Sequence, residues 1–68
     1  MKTLLSIPYE YDVVVDDDGR YYLEACCGGI AMYIARIELT ADEADAFRSD
    51  PSSIVGLARR VQHHGKRP

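Results

Sequence analysis

A chain of 68 residues with 47% apolar side chains makes one small globular domain, residues 1–68, rather than two domains or a disordered chain. Residues 1–50 hold all eleven acidic side chains and four of the eight basic ones, a net charge of −7, whereas residues 51–68 carry a net charge of +4. No run approaches the roughly 20 apolar residues of a membrane helix, and Pro8 and Glu10 follow Met1 too closely for a signal peptide, so we expect a cytoplasmic protein.

The first predicted strand runs to Val15 and alternates apolar with mostly polar residues. Its odd positions are Leu5, Ile7, Tyr9, Tyr11, Val13 and Val15. This period of two is typical of a half-buried strand. Pro8 cannot donate to a sheet ladder, so the strand is an edge at that point or begins after it.

A turn follows at residues 16–20, where three aspartates precede Gly19. A two-residue loop would place Val15 opposite Tyr22 and mix polar with apolar side chains. A three-residue loop, residues 17–19, places Val15 opposite Tyr21 and keeps one face apolar. We therefore predict the three-residue loop, with Gly19 in the left-handed bulge position.

The next turn signal is the pair Gly28-Gly29. A two-residue loop at this point predicts three cross-strand pairs, which are Cys27 with Ile30, Ala25 with Met32, and Leu23 with Ile34. These residues share a face with Val13 and Val15, so the two turns agree on one core face, which we expect the helices to cover.

The period changes after Leu39. Thr40 and Glu43 form the pattern of a capping box, which predicts a helix starting at Ala41. Asp50-Pro51 interrupts this helix, and a second apolar stripe follows at Ile54, Leu57, Ala58 and Val61.

The expected fold is α+β, with a three-stranded antiparallel meander followed by a short helix and a longer C-terminal helix (βββαα). The sheet covers residues 2–39, the helical segment covers 41–64 with its break near Asp50-Pro51, and residues 65–68 form a frayed tail.

The second face of this sheet is unusually apolar for a solvated surface. It is predicted to carry Val14, Tyr22, Cys26, Ala31, Tyr33, Ala35, Ile37 and Leu39 among acidic residues. Either the helical segment wraps the end of the sheet, or this face is an interface. A chain this short buries only about 60% of its surface, which favours a partner or a second copy. The interface hypothesis names Glu10, Asp12, Tyr22, Glu24, Tyr33 and Ile37.

Catalytic and metal chemistry have weak support in the sequence. Asp12 and Glu24 are predicted cross-strand neighbours, yet no nucleophile accompanies this carboxylate pair. The aspartates before Gly19 lack the ligand spacing of a calcium loop. The roles of the Cys26-Cys27 and His63-His64 pairs stay open, since neither has the spacing of a redox or zinc motif. We expect a protein that is not an enzyme and holds no cofactor or metal.

Several short motifs occur in a characteristic order along the chain. They are Asp17-Asp18-Gly19, Tyr21-Tyr22-Leu23, Gly28-Gly29, Leu39-Thr40-x-x-Glu43 and Leu57-Ala58-Arg59-Arg60. This order resembles small bacterial immunity proteins of polymorphic-toxin systems. The N-terminal part is also similar to HicB-type antitoxins, although Ala25-Cys26-Cys27-Gly28-Gly29 stands where those proteins carry a proline-rich segment and their later strand is missing. The resemblance implies a toxin partner with a basic substrate cleft, which an acidic chain could occupy.

Three functional hypotheses follow. The first is a small acidic protein-binding module, an inhibitor of the immunity or antitoxin type. The alternative is a homodimeric structural domain that pairs through Tyr22, Tyr33 and Ile37. The weakest is nucleic-acid contact through four basic residues without interleaved aromatic side chains, which are Arg59, Arg60, Lys66 and Arg67.

Overall fold

The computed structural model describes residues 1–27 and 33–64, which form an antiparallel sheet followed by helices. The elements are β1 (Lys2–Ile7), β2 (Tyr11–Val15), β3 (Tyr21–Cys27), β4 (Tyr33–Glu38), α1 (Ala41–Ser49), a 3₁₀ turn (Pro51–Ser53) and α2 (Ile54–His64). The strands lie in the order β1-β2-β3-β4, a four-stranded meander. The fold is therefore ββββαα, and the prediction of three strands is wrong.

The fourth strand arises because a tight turn divides the first predicted strand into β1 and β2. The amide of Glu10 donates to the carbonyl of Ile7 over 3.0 Å, which closes a turn with Pro8 at its second position. Tyr9 occupies the third position with a φ of +65°. Proline followed by a positive φ is the pattern of a type II turn, and it reverses the chain between β1 and β2.

The alternating pattern cannot reveal this turn, because the turn preserves it. Leu5 pairs with Val13 and Ile7 with Tyr11, so odd-numbered residues of both strands lie on the same side of the sheet. A three-residue connection between Ile7 and Tyr11 keeps that parity. The period of two therefore runs through the reversal without interruption.

The pairing of β2 with β3 confirms the predicted register. Val15 lies opposite Tyr21, Val13 opposite Leu23 and Tyr11 opposite Ala25. Gly19 has a φ of +83°, the left-handed conformation predicted for it.

The predicted pairing of β3 with the strand after it is wrong by three residues. Leu23 lies opposite Ile37 rather than Ile34, and Cys27 lies opposite Tyr33 rather than Ile30. A shift by an odd number exchanges the two sides of β4. The predicted Gly28-Gly29 turn itself lies outside the described residues.

The junction with α1 explains why this register is chosen. Leu39 immediately precedes the N-cap of α1, so its side chain enters the space between the sheet and the helices, where it is 6% exposed. Alternation along β4 then places Ile37 and Ala35 on the same side. Ile34 is left on the other side and is 58% exposed.

Among the described residues, an apolar core lies between the helices and one side of the sheet. The strands contribute Val13, Leu23, Ala25, Cys27, Ala35, Ile37 and Leu39, and the helical part contributes Phe47, Ile54, Leu57, Ala58 and Val61. The helices thus cover the side that holds Val13 and Leu23, as predicted, whereas the predicted core residue Ile34 lies outside it.

The helix boundaries follow the predicted capping chemistry. The amide of Glu43 donates to Thr40 Oγ1 over 3.2 Å, and the amide of Thr40 donates to Glu43 Oε1 over 2.8 Å. At the break, Asp50 Oδ1 accepts from the amide and the hydroxyl of Ser52. Both the capping box and the interruption at Asp50-Pro51 are confirmed. The predicted frayed tail, residues 65–68, lies outside the described residues.

The strained turn at Tyr9 makes a prediction about stability. Left-handed backbone costs a residue with a Cβ atom about 1 kcal/mol, and the Tyr9 side chain is 89% exposed, so its removal leaves the core intact. We expect Tyr9→Gly to be more stable than Tyr9→Ala by about 1 kcal/mol in urea unfolding. Equal stability of the two variants would show that the backbone at this position is not left-handed.

The capping box makes a second prediction. Thr40→Ala removes the oxygen that accepts from the Glu43 amide and should lower the free energy of unfolding by about 1 kcal/mol. Ser49→Ala removes an exposed hydroxyl from the other end of α1 and serves as the control. Thermal unfolding of both variants, followed by circular dichroism, checks this, and a Thr40→Ala variant no less stable than the control contradicts it.

Candidate functional site on the open face of the sheet

The side of the sheet away from the helices, here called the open face, carries the candidate site. Cross-strand partners share a side, so the register defines this face across all four strands. It consists of Thr3, Ser6, Asp12, Val14, Tyr22, Glu24, Cys26, Ile34, Arg36 and Glu38.

A polar row crosses the open face at the middle of the strands. Ser6 lies opposite Asp12, Asp12 opposite Glu24, and Glu24 opposite Arg36. The Ser6 hydroxyl donates to Asp12 Oδ1 over 2.8 Å, and Arg36 Nε lies 3.9 Å from Glu24 Oε2. The predicted juxtaposition of Asp12 and Glu24 is confirmed, so two carboxylates sit side by side on one surface.

One half of the open face is occupied by contacts within the chain. The Arg36 guanidinium lies 4.2 Å from the centre of the Tyr22 ring, and the Tyr22 hydroxyl donates to Asp16 Oδ2 over 3.3 Å. Val14, whose partner across the strands is Tyr22, is only 4% exposed although the helices lie on the other side. This half is therefore covered by the protein's own side chains.

A half-open cleft of about 280 Å³ lies at the other half of the open face and extends to the turn between β1 and β2. Its lining residues are Ser6, Ile7, Pro8, Tyr9, Tyr11, Asp12, Glu24, Cys26 and Ile34. Both carboxylates of the polar row thus belong to the cleft, together with the two apolar side chains Tyr9 and Ile34, which are 89% and 58% exposed. Acidic groups beside exposed apolar groups form a surface suited to a cationic, partly apolar partner.

Backbone contacts hold the turn that carries Tyr9 against the rest of the fold. The Glu10 carbonyl accepts from the Cys26 amide over 2.7 Å and from Gln62 Nε2 of α2 over 3.0 Å. Glu10, a predicted interface residue, therefore anchors the turn through its main chain while its side chain is exposed.

The predicted interface residues do not all lie on one surface. Glu24 and Asp12 line the cleft and Tyr22 lies beside it, but Tyr33 and Ile37 lie on the helix side of the sheet. Their predicted placement on the second face is wrong because of the three-residue shift of β4. Tyr22, Tyr33 and Ile37 therefore do not form one patch on the sheet.

Tyr9 and Ile34 are the functional candidates that the sequence analysis missed. Both count as core residues when the apolar pattern is read as uninterrupted strands. Pro8 was the local sequence signal for the turn that carries Tyr9, because proline is common at the second position of type II turns.

The two cysteines and two histidines have structural surroundings. Cys27 is 2% exposed, and its thiol donates to the Val61 carbonyl over 3.6 Å. The same thiol raises the pKa of Tyr33, chiefly because negative charge on one group opposes ionisation of the other. Cys26 lies on the open face, and the rings of His63 and His64 contact edge to face at 5.0 Å.

Two of the four basic residues in the nucleic-acid hypothesis lie in the described part of the chain. Arg59 and Arg60 are exposed on α2, whereas Lys66 and Arg67 lie outside the described residues. In the described part of the chain, no group of three or more His, Cys, Asp or Glu side chains is placed to hold a metal ion. Neither helix described here has the length and apolar character needed to cross a membrane.

Comparison with known proteins found no matching family model, no matching curated protein and no matching solved structure.

Asp16 links the β2–β3 turn to this face. Its Oδ1 accepts from the Arg20 amide over 2.8 Å and from the Asp18 amide over 3.0 Å. The Arg20 amide is the largest cause of a pKa below the usual value of 3.8, and partial desolvation opposes the shift. Because the folded pKa is the lower one, the ionised Asp16 stabilises the fold above pH 3.8, and this stabilisation is lost as the pH falls through the folded pKa.

This linkage predicts a pH-dependent effect of Asp16→Asn. The variant should be less stable than the unmodified protein at pH 7, and the difference should disappear in acid below the folded pKa. Urea unfolding at a series of pH values measures it, with Asp17→Asn in the same turn as the control. A stability difference that does not change with pH would rule out the charge of Asp16 as its origin.

Proposed function

We propose that this chain is a non-enzymatic protein-binding module that docks the cleft of its open face onto a basic surface of a protein partner, as immunity proteins and antitoxins do. The observation that supports this most strongly is the composition of the cleft. Two adjacent carboxylates, Asp12 and Glu24, share it with the exposed side chains of Tyr9 and Ile34.

The acidic pair favours a cationic partner. Asp12 and Glu24 are like charges held opposite each other on neighbouring strands, which is unfavourable in isolation. A lysine or arginine of the partner placed between them would relieve that repulsion. The net charge of −7 on residues 1–50 would also speed the encounter with a basic surface.

The exposed apolar side chains supply the binding energy that charge alone does not. Tyrosine is enriched among the residues that dominate protein–protein affinity. Tyr9 is presented on a turn closed by the Glu10–Ile7 hydrogen bond and preceded by proline. A side chain on such a restrained backbone loses little conformational entropy when a partner binds.

The test is binding of the protein encoded beside this chain's gene, the position that a toxin partner would occupy. In calorimetry, Tyr9→Ala should weaken the complex at least tenfold, as expected for truncation of an anchoring tyrosine. Tyr33→Ala is the matched control, because Tyr33 is also an exposed tyrosine (54% exposed) but lies on the helix side.

Charge is tested separately with Asp12→Asn, which keeps an oxygen for the Ser6 hydroxyl and removes one negative charge. We expect slower association and a weaker dependence on salt concentration than for the Asp17→Asn control. The proposal is contradicted if the neighbouring protein does not bind, or if Tyr33→Ala weakens binding as much as Tyr9→Ala does.

A further inference from the structure

The outer edge of the sheet at β4 has a regular row of outward backbone groups. The Leu39 amide donates to the Tyr21 carbonyl over 2.8 Å, which assigns odd-numbered residues of this strand to the ladder with β3. Hydrogen-bonded and non-hydrogen-bonded pairs alternate in an antiparallel ladder. The amides and carbonyls of Ile34, Arg36 and Glu38 therefore point away from β3, along the edge.

The opposite edge, β1, is poorly shaped for pairing with another strand. Its register is broken between Thr3 and Leu5 by a bulge, Lys2 begins it, and Pro8 follows it directly. Bulges and lysines are the features by which edge strands avoid pairing with other chains. By contrast, β4 pairs with β3 over six consecutive positions without a shift.

We propose that β4 pairs with β4 of a second copy in an antiparallel arrangement, with a two-fold axis at Ile37. In this register, Arg36 of each copy lies opposite Glu38 of the other. Both residues have outward backbone groups, so the two pairs form four backbone hydrogen bonds. The two sheets join into one sheet of eight strands.

The charges of β4 select this register from the symmetric alternatives. An axis at Arg36 would place the two guanidinium groups opposite each other, and an axis at Ala35 would place Arg36 opposite Ile34. Only the axis at Ile37 gives two pairs of opposite charge, which stabilise neighbouring strands. The Arg36 side chain is 44% exposed; its Nε lies 3.9 Å from Glu24 Oε2 and its Nη2 lies 3.6 Å from Met1 Sδ, and the remaining guanidinium N–H groups can donate to a second carboxylate.

This dimer leaves the cleft accessible. The cleft lies over β1, β2 and β3, and β4 contributes only Ile34 to it. Self-association through the edge therefore leaves Tyr9, Asp12 and Glu24 accessible to a partner, and Ile34 belongs to both surfaces. Failure of one proposal does not imply failure of the other.

Sedimentation velocity over a concentration series tests the dimer. We expect a reversible monomer–dimer equilibrium that Arg36→Glu and Glu38→Arg each weaken about tenfold, since each reverses two cross-strand charge pairs per dimer. The double variant R36E/E38R restores two opposite-charge pairs and should recover dimerisation. Circular dichroism and thermal unfolding establish that each variant is folded.

Amide hydrogen exchange tests the register directly. The amides of Arg36 and Glu38 should exchange more slowly as the protein concentration rises, while the exchange of amides in β1 should not change. The proposal is overturned if the protein stays monomeric at millimolar concentration, if protection arises in β1 instead, or if the folded double variant fails to dimerise.

Discussion

The junction between β4 and α1 decides which side of the sheet becomes core. The Leu39 amide donates a hydrogen bond to the Tyr21 carbonyl, and the next residue, Thr40, is the N-cap of α1. Leu39 therefore has to face the helices, and alternation carries Ile37 and Ala35 with it. The exposed position of Ile34, and with it the apolar rim of the cleft, follows from this one constraint.

In residues 1–27 and 33–64 the helices form one layer, and they bury one face of the sheet and leave the other open. The protein itself covers about half of the open face through the Tyr22–Arg36 contact and its neighbours. The other half keeps two carboxylates beside exposed apolar side chains. This division concentrates the candidate binding surface in a cleft that extends from the turn between β1 and β2 to Ile34 on β4.

Local patterns predicted the features that local chemistry determines. The three-residue loop before Arg20, the capping box at Thr40 and the interruption at Asp50 were each specified by a few neighbouring side chains. The turn at Pro8 was missed because a three-residue reversal preserves alternation. The face of β4 was misassigned because its register was set from a two-residue loop at Gly28-Gly29, although Arg36 and Glu38 alternate in sequence with Ala35, Ile37 and Leu39. Asp12 and Glu24 were predicted to be neighbours because the local loop at residues 17–19 sets the register of β2 and β3. Tyr9 and Ile34 were not predicted, because Tyr9 depends on the missed turn and Ile34 on the misassigned face of β4.

The double acceptor at the Glu10 carbonyl has a practical consequence for any shortening of the chain. One of its two donors is Gln62, which lies in the final turns of α2, on the far side of the core from the open face. Removing the end of α2 would therefore withdraw a support from the turn that presents Tyr9. Weaker binding after such a truncation would reflect displacement of the turn at Tyr9 as well as loss of the deleted residues.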